Sequence, residues 1–343
     1  MCGEGTLDAQ IITSLAPVGP VACVAECALA FCSARYFVCA VAQGAATTFW
    51  SIEEPSGTDL SSFLQTWIFA VASADPIPQV HSVSYGDDEA NLSVLAMNAF
   101  NTEAAKLGLR GVSIIVSSGD GGAMGRSGQC AFAPMFPASS PYVTAVGATM
   151  GPESSQPEVA CVANEASEVL ITSGGGFSGQ FPQPAFQHAA VAVWLQQATS
   201  AGSLPPSTMV PIATYSNFRG YPDVALLGHA FPLVIDGGYL WEDGTSASAP
   251  VFAAMVTQVN ALRASEGLSA LGYLNIALYQ NVSSSAFNDI EVGENNCPEY
   301  DPTTNSWPTC CAYGYLASAG KLDFCWSVWR GTCACKRSPI RNE

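Results

Sequence analysis

A doubly wound α/β domain, with a mostly parallel sheet flanked by helices, is the fold class this sequence predicts. Three observations carry that expectation. Segments with helical and strand periodicity alternate along the chain. Val112–Val116 and Tyr142–Val146 are near-continuous apolar runs, as strands buried on both faces require. Of the 343 residues, 49% are apolar and 11% charged, ample for a core and the reverse of a disordered chain.

Taken in order, Leu7–Leu15 has apolar residues at helical spacing, and Ala45–Ser51 reads as a strand. Asp59–Ser73 has the helical period, with Asp59 or Ser61 as the N-cap. Gln79–Ser84 alternates as a strand does, and Asn91–Leu107 is a long helix. The two buried strands follow. Thr245–Glu266 opens with small residues and continues as a helix with Phe252, Met255, Val256, Val259 and Leu262 inward. Two stretches fit no element: Pro17–Gln43, rich in Ala, Val and Cys without a polar face, and the Cys-, Arg- and Trp-rich tail Lys321–Glu343.

The formal charge is −17, from 11 Lys and Arg against 28 Asp and Glu. Such a chain has little with which to neutralise phosphates, so nucleic acid and anionic membrane are excluded as partners. No apolar run reaches the roughly 18 residues of a membrane helix. An acidic surface suits work at low pH, where carboxylates are partly neutral and self-repulsion falls. Thirteen Cys point to an oxidising compartment. Asn91-Leu92-Ser93 and Asn281-Val282-Ser283 are glycosylation sequons, which act only in a secreted chain. Met1 is followed at once by Cys2-Gly3-Glu4, without the charged start and apolar run of a signal peptide.

Three clusters carry chemistry. Gly244-Thr245-Ser246-Ala247-Ser248-Ala249-Pro250 opens a helix, where free N–H groups and the macrodipole stabilise a developing oxyanion. Alone, Gly-Thr-Ser reads as a capped turn; the whole string resembles the nucleophile motif of subtilisin-like peptidases. Ser118-Gly119-Asp120 follows a buried strand, at the end where parallel sheets place their sites, although Asp is also common in turns. A histidine base is missing from the pattern: His81 lies in a strand, His188 after a Pro-rich loop and His229 in another loop, so all three read as structural or solvated. Glu4 and Asp8, at i, i+4, instead put two carboxylates on one helix face.

Glu-x-x-x-Asp on a helix, Ser-Gly-Asp after a strand and Gly-Thr-Ser-x-Ser, in that order, resemble the sedolisin family of serine-carboxyl peptidases. His81-Ser-Val-Ser-Tyr-Gly-Asp-Asp-Glu89 and Phe136–Thr149 are most similar to its tripeptidyl-peptidase-like branch, and Ser173–Ser178, Arg219–Val224 and Gly272–Asn275 also match. The resemblance spans Gly3–Leu15 and Gly44–Gly320. It implies a subtilisin-like fold in which Ser246 attacks the scissile carbonyl of a peptide or protein substrate. Glu4 takes its proton, Asp8 orients Glu4, and a protonated Asp120 donates to the oxyanion with the Ser246 N–H. Gly86, Gly174 and Gly175 fall on the substrate side. Asp87 and Asp88 are candidates for a substrate's terminal ammonium, which would favour tripeptide release, with a polar strand-end turn as the alternative. The resemblance further implies a propeptide in the precursor and a secreted or lysosomal/vacuolar location.

It also implies one Ca²⁺, with the Asp289 carboxylate and the Ile290 carbonyl as ligands; oxygen ligands suit that hard ion. The family's second half, Gly-x-Gly-Trp-Asp-Pro, reads here Ser318-Ala-Gly-Lys-Leu-Asp323, so the site reads as incomplete. The domain expected is therefore residues 1–320, with 17–43 an atypical insertion of the kind translated intron sequence would leave, and 321–343 a tail foreign to the family. Of the cysteines, Cys130, Cys297, Cys310 and Cys311 lie in family-like sequence and are the candidates for disulfides. Two other readings stand beside the peptidase: an impaired pseudoenzyme or truncated product on the same scaffold, and an esterase using Ser246, for which the Gly-x-Ser-x-Gly elbow is missing.

Overall fold

The computed structural model describes residues 21–25, 47–52, 60–235, 238–281, 286–317 and 327–329. Along the chain run β1 (Val21–Ala25), β2 (Thr47–Ser51), α1 (Leu60–Ser73), β3 (Val80–Val83), β4 (Asp87–Asp88), α2 (Val94–Leu109), β5 (Ser113–Ser117) and β6 (Met135–Phe136). Then come β7 (Thr144–Met150), β8 (Val159–Ala160), β9 (Gly176–Pro182), α3 (His188–Ala201), α4 (Ile212–Asn217), β10 (Phe218–Tyr221) and β11 (Val224–Leu227). The hairpin β12 (Phe231–Ile235) and β13 (Gly238–Glu242) leads into α5 (Thr245–Ser265), followed by α6 (Asn275–Gln280), β14 (Phe287–Asp289) and β15 (Ser327–Trp329).

Among the described residues the central sheet has order β11-β7-β5-β3-β1-β2, with β8 antiparallel on β7 and every other pairing parallel. Strand alternation divides the core. Ile114 and Val116 of β5 join Phe63, Trp67 and Ile68 of α1 and Met97, Phe100 and Leu107 of α2. Ile115, between them, joins Val146, Val224 and the buried stripe Ala249, Phe252, Ala253 and Val256 of α5 on the opposite face. Helices thus cover both faces, as near-continuous apolar strands require. A third cluster, with Phe177, Trp194, Tyr215 and Tyr315, seats α3 and α4 beside the sheet.

Most predicted elements are found with boundaries shifted by one to four residues, but Val259 and Leu262, expected inward on α5, are exposed. The helix expected from Asn91 begins at Val94, because a short 3-10 turn, Glu89–Asn91, precedes it and Ser93 is extended. Ser61 lies inside the first turn of α1 rather than capping it, and its Oγ accepts from the Ser93 N–H at 3.0 Å. Asp59 and the predicted helix Leu7–Leu15 lie outside the described residues. β1 falls within the segment 17–43 that reads as an insertion, and pairs with both β2 and β3. Part of that segment is therefore built into the sheet. Cys130 bridges to Cys311 and Cys297 to Cys310, the four cysteines singled out by the resemblance; Cys161 is buried and free.

Candidate active site

Strands β3 and β5 end level, Val83 opposite Val116, so Ser84 and Ser118-Gly119-Asp120 emerge side by side at the carboxyl edge of the sheet. Helix α5 starts at that edge. Asp120 Oδ1 accepts from the Thr245 N–H at 2.7 Å and from the Thr245 Oγ1–H at 2.9 Å, while Thr245 Oγ1 accepts from the Gly119 N–H at 3.1 Å. The aspartate thus serves as a cap supplied from outside the helix, occupying one of the first-turn donors that no helical carbonyl reaches. Ser246 is the next residue, half-buried, and by its place in the first turn its N–H likewise has no intrahelical acceptor.

Pro250 shapes the same turn. Without an N–H it cannot donate to the Ser246 carbonyl four residues back. Ser84 Oγ reaches that carbonyl instead, at 3.4 Å, and ties the end of β3 to the serine. The Asp120 turn is packed backbone to backbone. A side chain at Gly174 would lie 2.3 Å from the Ser118 carbonyl oxygen, and the Gly174 N–H donates to the Gly119 carbonyl at 2.7 Å. The bare Cα of Gly174 is therefore explained by this close approach, and Gly175 follows it against Pro222.

Burial is the chief cause that pushes the Asp120 carboxyl above the usual carboxylate range, assisted by the negative charge of Asp243. The two Thr245 hydrogen bonds and the Arg126 charge work against it. Asp88 is buried and also raised, again chiefly by burial; its Oδ1 accepts from the Arg126 N–H at 2.9 Å. Arg126 Nη1 donates to the Gly86 carbonyl at 3.1 Å, so one residue pins both Gly86 and Asp88. Asp87 is half-buried and accepts from Asn91 Nδ2 at 3.1 Å and from the Asp88 N–H at 2.8 Å. Glu89, buried and raised chiefly by burial, accepts from Ser178 Oγ at 2.6 Å and the Gly179 N–H at 2.8 Å, joining β4 to β9.

Of the predicted site residues, the fold gathers Asp120 and Ser246, with Gly174 against the Asp120 turn; Gly86, Asp87 and Asp88 form a second group. Glu4 and Asp8 lie outside the described residues. Asp289 is exposed and Ile290 buried, with Asn288 Nδ2 donating to Glu158 Oε2 at 3.1 Å. No group of three or more His, Cys, Asp or Glu placed to hold a metal is found among the described residues. Two oxygens fall short of the six to eight that calcium takes, and Ser318–Asp323 lies outside the described residues except as sequence. The described residues therefore do not complete a calcium shell. Sequence reasoning missed Arg126, Glu89 and the pairing of His229 with Asp243, because each partnership is long-range. Thr245, inside the Gly-Thr-Ser string, was one accessible signal.

No family model matches the chain. Over 282 residues, 78% of this chain, it is 37% identical to tripeptidyl-peptidase 1 of Rattus norvegicus, and it is 37% identical over the same length to that of Homo sapiens. The match covers 47% of each, so the chain spans about half the length of the curated relatives it matches. A solved structure of Pseudomonas sedolisin, a serine-carboxyl proteinase complexed with two molecules of pseudo-iodotyrostatin, superposes with a TM-score of 0.59. It is 18% identical and covers 95% of this chain and 94% of that chain, a likeness of fold. The fold is thus the expected subtilisin-like α/β class. With the relatives matched across most of its length, the chain belongs to the sedolisin family and is similar to that family's tripeptidyl-peptidase 1.

Proposed function

We propose that this chain is the peptidase domain of an acid-acting serine-carboxyl peptidase, with Ser246 as nucleophile. The observation that carries the reading is the Asp120–Thr245–Ser246 arrangement: a carboxyl of raised proton affinity, locked one residue from the serine that opens α5. Protonated in acid, Asp120 donates a hydrogen bond toward the oxyanion together with the Ser246 N–H. Ionised, it would set an anion against an anion. Glu4 as general base and Asp8 as its orienting partner complete the proposal, on the Glu-x-x-x-Asp spacing. Ser246 Oγ adds to the carbonyl carbon while its proton passes to Glu4, and that proton then goes to the leaving amine. Water hydrolyses the acyl-enzyme by the same route.

Release of tripeptides from free N-termini is the finer proposal, with Asp87 holding the terminal ammonium. Its carboxylate is half-buried and, among the described residues, only its Oδ1 is engaged, by Asn91 and the Asp88 N–H, whereas Asp88 accepts from the Arg126 N–H. A precursor with a propeptide and a lysosomal or secreted location belong to the same proposal, and the two disulfides favour an oxidising compartment. The Asp289 carboxylate and the Ile290 carbonyl would supply two of the six to eight oxygens that calcium takes. Among the described residues no helix is long and apolar enough to cross a membrane.

The test is hydrolysis of a tripeptide-linked fluorogenic substrate at acid and neutral pH, by protein made with a propeptide supplied. Activity at acid pH that Ser246→Ala abolishes supports the reading. Equal rates in wild type and Ser246→Ala would end it and revive the pseudoenzyme. Equal cleavage of free and N-acetylated peptides would remove the exopeptidase part alone.

A further inference from the structure

His229 and Asp243 form a pair that the mechanism above does not use. His229 Nδ1 lies 2.8 Å from Asp243 Oδ1, and both side chains are largely buried. Asp243 Oδ1 also accepts from the Ala230 N–H at 2.8 Å, and Asp243 Oδ2 from the Leu170 N–H at 2.8 Å. The Gly244 N–H donates to the Gly228 carbonyl at 2.8 Å. The turn Gly228–Ala230 is thereby clamped onto the residues that immediately precede Thr245 and Ser246. Ala230 sits in the left-handed region, at φ 50°, which a residue with a Cβ adopts at a cost and keeps only where its surroundings hold it. The clamp supplies that hold.

The connection from His229 to Asp120 is continuous: the imidazole on the Asp243 carboxylate, one residue of backbone, then the two Thr245 hydrogen bonds on Asp120 Oδ1. Glu242 and Asp120 feel the Asp243 charge, Cys161 is a buried thiol in the field of Asp243, Asp120 and Glu153, and Arg126 and Glu299 interact with Asp120.

We propose that His229 and Asp243 are a positioning pair for the nucleophile turn, holding Thr245 and Ser246 in register with Asp120 and setting the charge that Asp120 faces. The imidazole on Asp243 Oδ1 and the Ala230 and Leu170 N–H groups together offset part of that carboxylate's charge. Removing either member unbalances it with opposite sign. Asp243→Asn deletes a negative charge near Asp120 and makes its ionisation easier; His229→Gln leaves Asp243 uncompensated and makes it harder. The catalytic half of this inference rests on the function proposed above; the charge coupling does not.

The experiment measures the Asp120 carboxyl directly. In ¹³C-aspartate-labelled full chain, the Asp120 Cγ resonance, assigned by its loss in Asp120→Asn, is titrated in wild type, Asp243→Asn and His229→Gln. The expected midpoints move in opposite directions, down in Asp243→Asn and up in His229→Gln, each by about one pH unit or less for charges several ångströms apart. Midpoints that stay put, or move the same way in both variants, overturn the proposal. His229→Asn, which keeps a polar group of smaller size, repeats the second arm if His229→Gln does not fold. Where hydrolysis is measurable, the alkaline limb of kcat/KM follows the same opposite shifts. A wild type that titrates as expected but hydrolyses nothing refutes the function and leaves the coupling standing.

Discussion

At the scale of the residue, Asp120 is the group on which the proposed chemistry turns, and its two roles can be separated. As a carboxylic acid it donates toward the oxyanion; as a side chain it caps α5 through the Thr245 N–H. Asp120→Ala is expected to lose about 10²–10³ in kcat/KM, the usual cost of one oxyanion donor. Asp120→Asn keeps a donor at every pH, so it is expected to lose less and to lose its dependence on alkaline pH. Steady-state pH profiles of the two variants decide, and equal losses with unchanged profiles would contradict the donor role. Much of this group was legible in the sequence, because Ser118-Gly119-Asp120 and Gly244-Thr245-Ser246 are local strings whose neighbours fix their geometry. His229 was not. It lies 14 residues from Asp243 with the hairpin β12–β13 between them, and only folding brings them together. The run Phe231–Glu242, with Asp236-Gly237-Gly238 between two apolar stretches, carried the hairpin signal that would have joined them.

At the scale of the element, the parallel strands were readable because burial on both faces leaves only apolar runs, as in β5 and β7. Boundaries slipped where a turn competed with a helix, as at Glu89–Asn91 before α2. Helix α3 escaped notice since its alanines blur the apolar stripe, and Ala190, Val191, Trp194 and Ala198 are its buried positions. The link Arg219–Asp223 joins β10 to β11 and could not be inferred from its motif alone. Arg219 Nη2 lies 2.5 Å from Asp223 Oδ2, with both side chains fully buried. Asp223 also accepts from the Ala145 N–H at 2.8 Å and from Tyr279 Oη at 3.0 Å, locking β11 to β7 and α6. Removing one partner strands a buried charge, so Arg219→Met is expected to cost about 3–5 kcal/mol of unfolding free energy. Replacing both partners by apolar residues of similar volume should cost less than either single change. Urea denaturation of the three variants checks this ordering.

At the scale of the whole molecule, buried titratable groups make stability depend on pH in two opposing directions. Asp88, Glu89 and Asp120 have carboxyls raised chiefly by burial. For a carboxyl raised by folding, the unfolded chain ionises first. The stability it contributes is complete below the unfolded value and is lost as pH rises through the raised folded value. His81 acts from the other side. Buried in β3 against Trp67, with Nε2 on the Pro78 carbonyl at 2.9 Å, it is pushed down by burial to about 4 from an ordinary 6.5. Its neutral form favours folding above 6.5, and that advantage is lost as pH falls toward 4, by about 3 kcal/mol for a shift of this size. Between about 4 and 6.5 the two trends oppose one another; above 6.5 the His81 contribution is constant, and unfolding midpoints are expected to fall only through the raised carboxyls. His81→Gln should flatten the acid side only, and a variant that keeps the wild-type acid slope would show that another group is responsible.

Pro250 has a consequence for how mutations will combine. Because the imino acid cannot supply the i+4 N–H for the Ser246 carbonyl, Ser84 Oγ is the hydroxyl that reaches it. Changing Ser84 to alanine in the wild type strands that oxygen. In a Pro250→Ala background, the restored amide of residue 250 can claim it, and the same serine change should cost less than in the wild type. The two substitutions are thus expected to be antagonistic, with an interaction energy of about 1 kcal/mol in a double-mutant cycle. Strict additivity would mean that strand β3 and the nucleophile helix do not communicate through this one oxygen.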